Sequence, residues 1–151
     1  MSEFQPLPWT SDLSVSVRVI DDEHKVLLSV YNDLVGSIEH RDPKSVADKV
    51  VKELYGYTKY HFGHEEEMMS KLGYPELDEH RRQHAGFVNR IAEIQKHVDG
   101  GQANLASLAE FVQKWIVGHI MVTDKKLGAF LKDKLPDGDF EFDAPAMGVV
   151  P

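Results

Sequence analysis

Five of the eight histidines in this 151-residue chain fall where helical periodicity would place apolar core positions: His24, His61, His80, His84 and His119. Two carboxylates, Glu65 and Asp124, share those stripes. Imidazole nitrogen and carboxylate oxygen are donors for divalent transition metals. In an apolar core each polar group left without a partner costs on the order of 1–3 kcal/mol. No lysine or arginine lies on these stripes to pair the carboxylates. Metal coordination satisfies all seven side chains at once.

The spacing agrees with that chemistry. An α-helix advances about 100° per residue, so positions four apart point within about 40° of each other. His61 with Glu65, and His80 with His84, are such pairs. His119 and Asp124 are five apart, about 140° on an ideal helix. They flank their stripe, with Asp124 reaching across to a second metal, unless the helix is locally irregular. Seven donors exceed what one octahedral ion takes from protein, whereas two ions bridged by Glu65 and Asp124 use them economically. Nitrogen with oxygen suits iron, and also zinc or manganese. Three histidines on one ion and two on the other leave one position open, and an open position on a redox-active pair invites dioxygen.

The remaining histidines have simpler readings. His40 and His97 sit at helix ends beside Arg41 and Lys96, where a solvated side chain or a partner for the helix dipole is expected. His64 lies three residues after His61 and is an alternative ligand by spacing, but is expected outside the donor set. Tyr31, Tyr57, Phe87 and Trp115 read as core, and Met68-Met69 as packing rather than a copper site.

Four helices must position these groups. Apolar spacings of three and four run from Ile20 to Ile38, from Val46 to Leu72, from Leu77 to Val98 and from Leu105 to Leu131. Asp42-Pro43 reads as N-cap and first turn of the second helix; Gly73 ends it, and Pro75 is expected to open the third. The expected fold is therefore all-α: an antiparallel up-down-up-down four-helix bundle at 20–135, with an extended N-terminal arm at 1–19 and a C-terminal tail at 136–151. The arm carries a strand-like alternation, Leu13, Val15, Val17 and Val19, with no other strand to pair with. The tail is acidic and contains proline and glycine, and is expected to order only if Phe140 and Phe142 find a surface. In an up-down bundle, all seven donors fall in one layer.

Composition narrows the functions available. The chain has no cysteine, which removes disulfides, thiolate zinc sites and iron–sulfur clusters. A net charge of −8 disfavours nucleic acid and anionic lipid as partners. No apolar run approaches the roughly 20 residues that span a bilayer. The N-terminus shows no export signal, so a cytoplasmic protein, expected as a monomer, follows.

At this point the motifs resemble those of the hemerythrin family, specifically its bacterial single-domain members. The matching strings are IDDEHKVL around His24, HFGHEEEMM around His61 and Glu65, HRRQH for His80 and His84, and HIMVTD for His119 and Asp124; PLPWTSDLSVSV is similar to the arm that precedes the first helix. The resemblance covers roughly residues 8 to 132. It implies two non-haem iron ions with an oxo or hydroxo bridge, and reversible binding of dioxygen. By that analogy His80, His84 and His119 hold one iron, His24 and His61 hold the other, which keeps the open site, and Glu65 and Asp124 bridge them. Leu27, Leu28, Phe62, Trp115, Ile116 and Ile120 flank the donors and are expected to wall a dry oxygen pocket. An oxygen carrier, not an enzyme, is the leading expectation. The rivals are an oxygen or nitric oxide sensing module and a diiron oxidase or peroxidase. Ferritin-like oxidases use more carboxylate and Glu-x-x-His pairs, which this chain lacks. The tail leaves a protein partner open as a further expectation.

Overall fold

A computed structural model describes residues 4–135 together with Phe140 and Phe142. The described residues are helical, without a strand. Helix α1 spans Arg18–Val35, α2 Pro43–Leu72, α3 Leu77–Asp99 and α4 Leu105–Gly118; a π-helical segment His119–Asp124 follows, and α5 covers Lys125–Leu131. The last three run on as one column, so the architecture is the expected four-helix bundle. No described helix is long and apolar enough to cross a membrane.

Local chemistry sets the boundaries. Asp42 caps α2, its side chain accepting from the Ser45 amide at 3.1 Å, with Pro43 in the first turn. Gly73 ends α2 in the left-handed conformation, φ 76°, which a side chain would strain. Pro75 does not open α3 as expected. The chain is still turning out of that left-handed cap at Pro75 and Glu76, so α3 begins at Leu77. The expected continuous fourth helix is likewise corrected: its hydrogen bonding widens to π geometry over His119–Asp124.

The arm is extended apart from a 3-10 turn at Ser11–Leu13 and Ser16, whose φ of 66° is left-handed, and side chains of α1 fasten it. Asp21 accepts from the Ser14 hydroxyl at 2.6 Å and the Val15 amide at 2.8 Å. The Asn32 amide exchanges two hydrogen bonds with the Leu7 backbone, at 2.7 and 3.0 Å. The alternation read in the arm places Val15 and Val17 in a small core with Ile20, Met68, Met69, Leu127 and Leu131. Both methionines are fully buried there, as packing. The arm crosses α5 at Gly128, where a Cβ would lie 2.0 Å from the Val15 carbonyl oxygen; only glycine fits. The larger core fills the rest of the bundle with Leu, Ile, Val, Phe and Tyr from all four helices. Each fully buried large apolar side chain contributes about 1.5–3 kcal/mol.

Of the tail, Phe140 and Phe142 are partly buried against the small core. The rest of 136–151, and residues 1–3 of the arm, lie outside the described residues.

Candidate metal centre

The seven side chains singled out by type and spacing converge. α1 supplies His24, α2 His61 and Glu65, α3 His80 and His84, and the π segment His119 and Asp124; all are buried. Their donor atoms form two overlapping groups, each with its members within 4.8 Å of one another. One holds Glu65, His80, His84, His119 and Asp124; the other holds His24, His61, Glu65 and Asp124.

The carboxylates belong to both groups because each turns one oxygen to either side. Glu65 Oε1 faces Nε2 of His80 at 3.2 Å and of His84 at 3.1 Å. Its Oε2 faces Nε2 of His61 at 3.1 Å and of His24 at 3.5 Å. Asp124 Oδ1 faces Nε2 of His80 at 3.0 Å and of His119 at 3.1 Å, while Oδ2 lies 2.9 Å from His24. Of the two expectations for His119 and Asp124, a flanking pair or a locally irregular helix, the second describes the structure. Hydrogen bonding from i to i+5 puts residues five apart on one face, and such bulges recur at functional sites.

Whether these residues suit a metal can be tested on their hydrogen bonds. Nε2 of His24, His84 and His119, Oε2 of Glu65 and both oxygens of Asp124 are buried without a hydrogen-bond partner among the described residues. They approach one another closely but not along hydrogen-bond directions. Left so, each costs on the order of 1–3 kcal/mol. A cation in each group would satisfy them together, so the donor set fits a metal site.

Three histidines are held from behind through Nδ1. His61 is hydrogen-bonded to Glu23 at 2.7 Å, His84 to Glu66 at 2.9 Å, and His119 to Gln83 at 2.8 Å, whose oxygen also accepts from Thr123 at 2.9 Å. A proton on Nδ1 leaves the Nε2 lone pair for a metal and fixes the ring. These partners escaped the reading of the sequence. Glu23, Glu66 and Gln83 are each next in sequence to a donor, which turns the side chain about 100° away, into the seam between helices. Adjacency to a donor is the one signal that could have found them.

His64 is in neither group; its Nδ1 is bonded to Glu23 at 2.5 Å. His40 and His97 are exposed and make local bonds, to the Asp42 amide and the Gln102 side chain. Of the six expected wall residues, Leu27, Leu28, Phe62, Ile116 and Ile120 are buried and Trp115 is partly buried. Phe62 stacks on His84 with centroids 3.8 Å apart, and Trp115 on His119 at 4.2 Å. Both rings therefore lie against histidines of the three-histidine group.

Electrostatics couple the cluster. Burial alone would lower the His61 pKa, but Glu65 and Glu23 lift it to about 10. Burial opposes and Asp124 and Glu65 override in the same way at His80, raised to about 9, and at His24, also raised. At His119 burial wins and the pKa falls. Burial pushes the Glu65 carboxyl up, yet His61, His24 and His80 hold it well below the usual range. Asp124 is also held low: burial and Glu65 oppose, and His119 and His24 prevail.

Residues 15–131 match the model of the hemerythrin HHE cation binding domain. The chain is similar to a bacteriohemerythrin of Methylococcus capsulatus, 31% identical over 127 residues, covering 83% of this chain and 96% of that protein. It is 31% identical over 119 residues to a bacteriohemerythrin of Stenotrophomonas maltophilia, covering 79% and 77% of the two chains. A crystal structure of wild-type hemerythrin superposes with a TM-score of 0.76 at 30% identity, covering 83% of this chain and 97% of that one. With a metal-competent cluster in a four-helix bundle and a family match over most of its length, the chain belongs to the hemerythrin family.

Proposed function

We propose that this chain binds dioxygen reversibly at a non-haem diiron centre, for storage, transport or delivery. His80, His84 and His119 would hold one iron, His24 and His61 the other, and Glu65 and Asp124 both. The observation that carries this reading is the division of the carboxylate oxygens, Oε1 and Oδ1 toward one histidine set and Oε2 and Oδ2 toward the other. A single-ion site has no use for that division. Bacteriohemerythrins and a myohemerythrin of Theromyzon tessulatum among the relatives favour iron over the other metals that such donors accept.

When bound, a ferrous pair supplies the electrons and the open coordination position that reversible oxygen binding needs. The protein supplies orientation and dryness. Glu23, Glu66 and Gln83 fix three of the five rings so that Nε2 faces inward. Leu27, Leu28, Ile116 and Ile120 are nearly inaccessible to solvent, which supports their reading as a wall that keeps water from the donor layer. Five imidazoles with two carboxylates donate less charge than the carboxylate-rich sets of diiron oxidases, which favours binding over substrate oxidation.

The test is the optical spectrum of the anaerobically iron-loaded protein. A charge-transfer band that develops with oxygen and vanishes when oxygen is removed supports carriage. Immediate oxidation to a ferric form, with no reversible oxygenated state, overturns it.

A further inference from the structure

A run of direct contacts joins the donor layer to the C-terminal segment. Glu23 is buried and commits both oxygens, Oε1 to Nδ1 of His61 at 2.7 Å and Oε2 to Nδ1 of His64 at 2.5 Å. The His64 ring meets Tyr60 at 4.3 Å between centroids and stacks on Phe142 at 3.7 Å with an interplanar angle of 15°. Phe142 in turn meets Phe140 edge-on at 4.9 Å, and the Lys71 ammonium lies 6.0 Å from the Phe140 ring. Tyr60 belongs to α2, the helix that carries His64; Phe142 comes from beyond the bundle.

We propose that Phe142, acting through His64 and Glu23, is a positioning residue for His61. The inference rests on the reading of His61 as a metal ligand. Nδ1 of His24 has no hydrogen-bond partner among the described residues, so on the two-histidine side only His61 has its ring set by a carboxylate. Glu23 can fix that ring only while its second oxygen is also fixed. His64 does this, and it keeps water off that oxygen. His64 itself stays in place because Phe142 lies flat against it and shields its outer side. Without the phenyl ring, His64 is free to turn outward, water reaches Glu23, and the hydrogen bond that orients His61 exchanges with solvent.

The test loads the metal-free full-length protein with zinc, which has no redox chemistry. It reads the affinity of each site by chelator competition, and by nitrogen-15 NMR the exchange of the His61 Nδ1 proton with water. Phe142→Ala is expected to weaken the second, two-histidine site about tenfold, the low end of what loss of a ligand's outer partner costs. The Nδ1 proton should exchange at least about tenfold faster, in the same proportion as the populated open state. Phe142→Tyr should restore both, and Phe142→Leu should not, because a stacked ring is needed rather than apolar bulk. The three-histidine site should load as in the wild type, which reports that the variant is folded. Wild-type affinity and exchange in Phe142→Ala would overturn the inference while leaving the metal site standing. A wild-type protein that takes up no second ion would overturn both.

Discussion

His119 and Asp124 stand five residues apart, yet Nε2 of one faces Oδ1 of the other across 3.1 Å, because the helix that carries them widens into a π segment between them. Residues five apart on an α-helix diverge by about 140°. The extra residue accommodated in the wide turn brings Asp124 back to the face it shares with His119.

Removal of one residue from that segment therefore tests the arrangement. Deleting Val122, which is 67% exposed, is expected to restore α-helical bonding and leave His119 and Asp124 four apart, still within about 40° of each other on one face. The protein should fold and keep both metal ions. Metal content after gel filtration checks it. Loss of either ion would mean that the wide turn itself, and not the shared face, is what presents Asp124.

The unequal histidine sets predict unequal consequences of substitution. His61→Ala is expected to leave the three-histidine set loaded and to abolish the second ion. Glu65→Ala removes a donor common to both groups and should weaken both ions. Titration of each apoprotein with ferrous iron under anaerobic conditions separates one-site from two-site loss.

The metal-free protein should have an unusual dependence of stability on pH. His61 and His80 are raised to about 10 and about 9 in the folded state, against about 6.5 when unfolded. Between those values the folded state holds protons that the unfolded state has lost, so stability is full below about pH 6.5 and falls toward pH 9–10. Glu65 and Asp124, held low, act oppositely, with stability lost as pH falls below the usual carboxylate range. Urea unfolding of the apoprotein should show a maximum at mildly acidic pH. Metal uptake near neutrality should release protons, since bound imidazoles must be neutral. Flat stability between pH 6.5 and 10 would sink this account.

Gly128 predicts a purely structural cost. A methyl group there would overlap the Val15 carbonyl, at 2.0 Å, and push the arm off α5. Gly128→Ala is expected to destabilise by about 1–3 kcal/mol, although alanine is the better helix former by about 1 kcal/mol. Thermal unfolding decides the sign. A stabilised variant would show that the arm contact contributes little.

Much of this was legible in the sequence because helical periodicity and ligand spacing obey the same arithmetic. Histidines on apolar stripes identify themselves, since few other positions put a titratable ring in a core. The i, i+4 pairs His61–Glu65 and His80–His84 needed nothing further. The outer partners were not legible: Glu23 and Glu66 belong to acidic runs, DDEH and HEEE, that resemble ordinary solvated faces. Only the packing of one helix against another decides which acid in a run meets a ring.

By itself the sequence determined the helices, the single donor layer and the chemistry of its seven members, because residue type and spacing are local properties. Tertiary structure alone decided the rest: the π turn that aims Asp124, the carboxylates' division between two sets, the buried Glu23 behind His61, and Phe142 lying on His64. Each depends on contacts between residues distant in sequence, or on a helix yielding to its neighbours. No local period encodes those.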